Sequence, residues 1–431
     1  GGTAFPYQVK VGGKLVRNLR LSGLTLAKIF TNQITNWNDP AITRDNHGKA
    51  LPSKPVIPVV HSEGSGSSAQ FTKYLDTVYP QVWRPFLGSS GATEYFPRKG
   101  GAIAQNGSDG VMNYVASDAA DGAIGYDEFS YALGKNFPVA KVENAGGYFT
   151  QPTQYGVAVA LTKAKINTDK SSPNYLLQDL SQVYTYADKR TYPLSSYSYM
   201  IIPTGSSDSR MTTAKRQTLA DYLYYSICDG QKEMGPIGYS PLPINLAQAS
   251  FDQIAKLKQA DSNVDLTKRN ISTCGNPTFI AGQPNRNYLA EIAPQPPACD
   301  AVTSDPCAAG TALVANPTKS GQFPSTNGGA TSTGTTGGRA STSGAAGTAA
   351  GGPAAGAVVP GTTTGTTDAT QATTGLQPQP VAEALPTELS AGRRPVSSAV
   401  LAPLAVLLLV AAVVAPPLLS RRLAAGDATS P

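Results

Sequence analysis

The run His61-Ser62-Glu63-Gly64-Ser65-Gly66-Ser67-Ser68 has residue types and spacing suited to holding a small oxyanion. Glycine at 64 and 66 lets the backbone come close to a ligand. Free N–H groups in the first turn of a following helix would point at that ligand, and the helix dipole favours negative charge there. The hydroxyls of Ser65, Ser67 and Ser68 add donors. At about 1.5–3 kcal/mol per hydrogen bond to a charged group, three or four donors suffice for a micromolar site. His61 and Glu63 stand where they would brace the loop. The plainer alternative is that Ser65 or Ser67 merely caps a surface helix, since serine is a preferred N-cap.

The elements that must position the loop are local to it. A β-rich run over 55–60 enters it. Phe71, Tyr74, Leu75 and Val78, spaced i, i+3, i+4, i+7, predict a helix leaving it. Further strands are expected over 123–126, 156–161 and 199–202. Helices are expected around Leu26/Ile29/Phe30, Val111/Tyr114/Val115 and Leu219/Tyr222/Leu223. This alternation predicts an α/β fold with a mostly parallel sheet and ligands at the C-terminal ends of its strands.

A serine hydrolase is the rival from another class, because His61 lies four residues before Ser65. No Gly-x-Ser-x-Gly elbow occurs in the chain, so the expectation is a protein that is not an enzyme. With only two histidines and no Cys-x-x-Cys, neither a metal nor a cofactor is expected.

Five segments in order resemble the phosphate-binding protein of bacterial ABC transporters, a type 2 periplasmic binding protein. The loop is similar to that family's Arg-x-Asp-Gly-Ser-Gly-Thr. Residues 24–30 with 34–42, 106–111, 122–126, and 192–202 with 238–243 resemble its other blocks. The resemblance covers about residues 1–260 and implies two lobes, inorganic phosphate or a similar oxyanion as ligand, and an ABC permease as partner. It implies oxyanion contacts from Ser65, Gly66, Ser67 and Ser68, with His61, Glu63 and Gly64 supporting the loop. The family's arginine falls at His61, which offers fewer donors and only part of a charge at neutral pH. Its aspartate falls at Glu63. The first lobe is expected to be incomplete and the chain to be the C-terminal part of a longer precursor. Tyr199, Ile201, Leu219, Leu223 and Ile254 are then expected to lack some of their packing partners. A surface scaffold or adhesion module built on a degenerate lobe is the further alternative.

Composition divides the chain into 1–280, the binding domain; 281–307, a Pro-rich segment with disulfides; 308–396, a stalk of Ala, Gly, Thr and Ser; 397–419; and a tail, 420–431. The stalk cannot bury enough apolar surface to fold and is expected to be disordered. Segment 397–419 carries no charge and, at about 1.5 Å rise per residue, spans a bilayer core of roughly 30 Å. One transmembrane helix is expected. Arg393-Arg394 and Arg421-Arg422 flank it almost evenly, which leaves a tail-anchored cytosolic domain as the alternative. The cysteines, the stalk and the family resemblance favour an extracellular main domain and a cytoplasmic tail. Net charge is +6, and the basic residues are scattered, so no nucleic-acid surface is expected. The four cysteines allow three pairings; Cys228–Cys274 and Cys299–Cys307 are favoured, the second because its Pro-rich surroundings offer little else to hold it. Disulfides place the domain in an oxidising compartment.

Overall fold

The computed structural model describes residues 1–280 and 282–308. The expected stalk beyond residue 308, the membrane span and the tail lie outside the described residues. Among the described residues no helix is long and apolar enough to cross a membrane.

Strand β1 (Arg20–Leu21) leads into α1 (Gly23–Phe30), which Ser22 caps by accepting from the Thr25 N–H. Strand β2 (Ile57–His61) is followed by α2 (Gly66–Val78), and β3 (Ile103–Gln105) by α3 (Gly107–Val115); β4 (Ala123–Gly125) comes next. These three strands form one sheet with β2 in the middle, parallel to both neighbours. Parallel pairing with helical crossovers puts the starts of α2 and α3 at the same end of the sheet.

A second sheet pairs β1 in parallel with β5 (Lys141–Glu143), which pairs antiparallel with β6 (Phe149–Thr150). The remaining ladders are short antiparallel pairs, among them Thr3–Ala4 with Asp127–Glu128. The expectation of a mostly parallel sheet therefore holds for the sheet that carries the loop, not for the strands as a whole.

Two expected strands are corrected. Residues 156–161 belong to α4 (Gln154–Leu161), capped by Thr153, whose side chain accepts from the Gly156 N–H. Every residue of that run is buried, so no polar face marks the helical period. Residues 199–202 form no strand, and Ile201 is 93% exposed.

The principal core lies beneath the loop. Phe5, Phe30, Phe71, Phe96 and Tyr126 pack ring to ring, with Phe71 and Tyr126 5.1 Å apart between centroids. Helices α5 (Thr213–Ile227) and α6 (Ile244–Ala260) bury Leu223, Ile227, Ile254 and Leu257 against one another. Leu223 and Ile254 thus have packing partners, contrary to the expectation for them. Leu219 is partly buried on the same cluster, while Tyr199 and Ile201 stand exposed.

Disulfides join Cys228 to Cys274 and Cys299 to Cys307. The second closes a segment that returns to the second sheet. Arg20, fully buried, donates to the carbonyls of Asp45, Cys299 and Ser304 and lies 4.3 Å from the centre of the Phe149 ring. Lys141 Nζ sits 2.6 and 2.7 Å from the two carboxylate oxygens of Asp300.

Candidate oxyanion site

At the end of β2 the chain passes through Ser62–Ser65 before α2 begins. Ser65 has an extended backbone (φ −130°, ψ 137°) and its Oγ accepts from the Ser67 N–H at 3.2 Å and, more weakly, the Ser68 N–H at 3.5 Å. Its own N–H donates to the Glu94 carbonyl at 3.0 Å. Ser65 is thus an N-cap, and the same bonds shape the first helical turn. Ser68 is fully buried, with its hydroxyl 2.6 Å from that of Tyr126. Burial pushes the Tyr126 phenol well above its usual range, so it remains a neutral partner for Ser68.

That leaves two donors at the helix start. Among the described residues nothing accepts the Gly66 N–H or bonds the Ser67 hydroxyl. Gly66 is exposed, and a Cβ added there would meet no atom within 4 Å. Gly64 differs: a Cβ there would come within 2.9 Å of the Tyr95 ring, which lies over the loop while remaining 63% exposed.

The loop is braced from below. His61 is 4% exposed, and its Nδ1 is 2.9 Å from Glu63 Oε1. The same oxygen accepts the Gly107 N–H at 3.1 Å, so Glu63 occupies the start of α3. Its other oxygen accepts from the Ser62 hydroxyl at 3.2 Å and the Asn106 amide at 3.4 Å. Partial burial pushes the Glu63 carboxyl up, but the bonds from His61 and the backbone N–H groups outweigh it and hold it below the usual carboxylate range. Glu63 therefore stays anionic and ties the two helix starts together.

Residue-type reasoning passed over Tyr95, Tyr126 and Asp127. Asp127 follows the end of β4, is 1% exposed, and has one carboxylate oxygen with no partner among the described residues. Its other oxygen accepts the Glu128 N–H at 2.8 Å. Burial pushes its carboxyl up to about 6, against the opposing pull of the Ser108 hydroxyl, the Glu128 N–H and His61. The available signal was its place just past a strand end, where a carboxylate meets a ligand-facing edge. Because its folded pKa lies above the ordinary 3.8, folding takes up a proton between those values. The group's stabilising contribution is full below the unfolded value and is lost as pH rises through about 6. Asp127→Asn should therefore raise Tm at pH 7.5 and change it little at pH 4; thermal melts at the two pH values check this.

No serine hydroxyl among the described residues bonds His61, so the nucleophile–base pair of a hydrolase is not assembled. His47 lies elsewhere, with Nδ1 2.9 Å from Asp305. Among the described residues no group of three or more His, Cys, Asp or Glu could hold a metal.

A parallel sheet with two helix starts at one end, one of them entered through a glycine-serine loop and the two tied by Glu63, defines a class. The chain belongs to the PBP superfamily, whose domain profile matches residues 4–230. More particularly, it is similar to PstS phosphate-binding proteins. It is 32% identical over 231 residues to the phosphate-binding protein PstS of Xylella fastidiosa (strain Temecula1), a match covering 53% of this chain and 58% of that protein. It is also 32% identical over 244 residues to phosphate-binding protein PstS 2 of Mycobacterium tuberculosis (strain H37Rv), covering 56% and 61%. The chain thus spans about three fifths of the length of these relatives. Among solved structures, the phosphate-bound periplasmic phosphate-binding protein PfluDING matches at 21% identity and a TM-score of 0.40, over 64% of this chain and 72% of that one.

Proposed function

We propose that this chain is an extracytoplasmic solute-binding protein that captures inorganic phosphate or a similar small oxyanion and delivers it to an ABC permease. The observation that carries the reading is the start of α2, where Gly66 is exposed and neither its N–H nor the Ser67 hydroxyl is bonded among the described residues, at the positive end of a 13-residue helix. The similarity to phosphate-binding proteins supports phosphate as the ligand. In this reading Ser65 and Ser68 shape the turn, while Gly66 and Ser67 donate to the ligand. The apolar segment 397–419 would tether the domain to the membrane, on its outer side.

Calorimetric titration of phosphate and sulfate into the full chain tests the site. Gly66→Ala should weaken phosphate binding at least tenfold, because the methyl group fills the ligand's space while touching no protein atom. Ser67→Ala should cost about 1.5–3 kcal/mol of binding through one lost bond to a charged group. Neither should move Tm appreciably. Unchanged affinity in both variants would remove the ligand from this loop. A wild-type chain that binds no oxyanion would favour the scaffold reading, for which the absence of the family arginine already speaks.

A further inference from the structure

Gly64 is a glycine for a reason other than its backbone. Its φ lies outside the left-handed region, so an alanine could adopt the same conformation. What a side chain there would meet is Tyr95. A Cβ at residue 64 would stand 2.9 Å from Cζ, 3.0 Å from Oη and 3.2 Å from Cε1 of that ring. The bare glycine thus admits the hydroxyl end of a tyrosine against the oxyanion loop.

Tyr95 reaches the loop from an anchored stretch. Just before it, the Glu94 carbonyl accepts the Ser65 N–H at 3.0 Å. The Thr93 N–H donates to Thr72 Oγ1 of α2 at 2.9 Å, and the Thr93 carbonyl accepts from that hydroxyl at 2.7 Å. Just after it, Phe96 is buried in the aromatic core, stacked on Phe71. Between these anchors the Tyr95 N–H is held by Thr93 Oγ1 at 3.1 Å, while the side chain stays largely exposed. Among the described residues its hydroxyl has no hydrogen-bond partner. The loop, for its part, presents no cation to a ligand. His61, where the family arginine falls, is buried with its Nδ1 committed to Glu63.

We propose that Tyr95 is a ligand-contacting, specificity-determining residue, whose hydroxyl donates to the oxyanion held at Gly66 and Ser67. The inference rests on the reading of the loop as an oxyanion site. Gly64 and Gly66 are two residues apart, at most about 7 Å along the chain. An anion that accepts bonds of about 2.8 Å on two of its sides bridges such a gap. The phenol supplies the donor that His61 cannot, and it does so without adding charge. Its anchored backbone holds that donor near the site before the ligand arrives, which lowers the ordering cost of binding.

Calorimetric titration of inorganic phosphate into the full chain tests the proposal on four proteins: wild type, Tyr95→Phe, Gly64→Ala and the two combined. Tyr95→Phe keeps the ring against Gly64 and removes only the hydroxyl. Affinity should fall about tenfold, the loss of one bond to a charged acceptor, with Tm unchanged. Gly64→Ala pushes the phenol off the loop. The displaced atoms are the far end of an exposed side chain, which can turn into solvent, so Tm should again hold while affinity falls by a similar factor. Because both changes remove the same bond, the combined variant should bind no more weakly than either alone. A merely structural tyrosine would show no such coupling. Wild-type affinity in Tyr95→Phe overturns the proposal, and so does a combined variant in which two losses multiply. If Ser67→Ala weakens phosphate binding while Tyr95→Phe does not, the loop reading stands and this contact falls. A wild type that binds no phosphate overturns both.

Discussion

Asp300→Ala should cost the domain about 3–5 kcal/mol, enough to leave a marginally stable chain largely unfolded at 37 °C. Both partners of the Lys141–Asp300 pair are 6% exposed, and the ammonium donates to both carboxylate oxygens. Removing the carboxylate strands the ammonium beside the fully buried Arg20. Two cations would then face the interior with one compensating carboxylate lost. Replacing the whole pair, as Lys141→Met with Asp300→Leu, should recover much of the loss, because the stranded charge is gone. Denaturant unfolding of the single and double variants checks both statements. A single variant less than 1 kcal/mol below wild type would show that the pair is already well solvated.

Gly122→Ala should be comparably severe, at about 3 kcal/mol or more. Gly122 has φ +109°, a region L side chains rarely adopt, and a Cβ there would sit 2.5 Å from the Pro55 carbonyl oxygen. Backbone cannot swing aside as a flexible side chain would. The residue is also a junction. Its N–H donates to the Gln8 carbonyl at 2.7 Å, and its own carbonyl accepts from Ile57 N–H and Trp37 Nε1, both at 2.9 Å. Those bonds set β4 against β2, and with it the positions of Tyr126 and Asp127. The variant should therefore lose stability and weaken phosphate binding together, whereas Ser67→Ala should affect binding alone. Urea melts and calorimetry on the same preparations separate the two patterns.

The loop and its helix were legible because everything that makes them is adjacent in sequence. Serine before a glycine-serine turn signals a cap, and Phe71, Tyr74 and Leu75 mark one helical face. All three are buried, as that spacing requires. Where residues carried no contrast the reading failed. The uniformly apolar 156–161 run suits a buried strand and a buried helix equally, and its length does not arbitrate. Residues 199–202 have strand-forming side chains but no neighbouring strand to pair with among the described residues.

The deeper parts of the site depend on partners distant in the chain. Asp127 is an ordinary carboxylate until strand pairing sets it opposite Ala4, 123 positions earlier, and leaves it 1% exposed. Arg20 looks like a surface arginine in sequence. Its burial rests on carbonyls from Cys299 and Ser304, 279 and 284 positions further along the chain. No local pattern encodes such a contact. Glu63 lay between these extremes: its identity and place suggested a brace, and the Gly107 N–H it accepts supplied the reason.

The clip formed by residues 298–307 also determines how the domain bears a mechanical load. A pull on the chain downstream of Ala308 reaches Cys307 first and crosses the covalent bond to Cys299. From there it falls on the Lys141–Asp300 pair and on the Arg20 guanidinium, both rooted in the second sheet. The parallel sheet under the oxyanion loop is not on that path. A tugged domain would keep its binding end intact until the clip gave way.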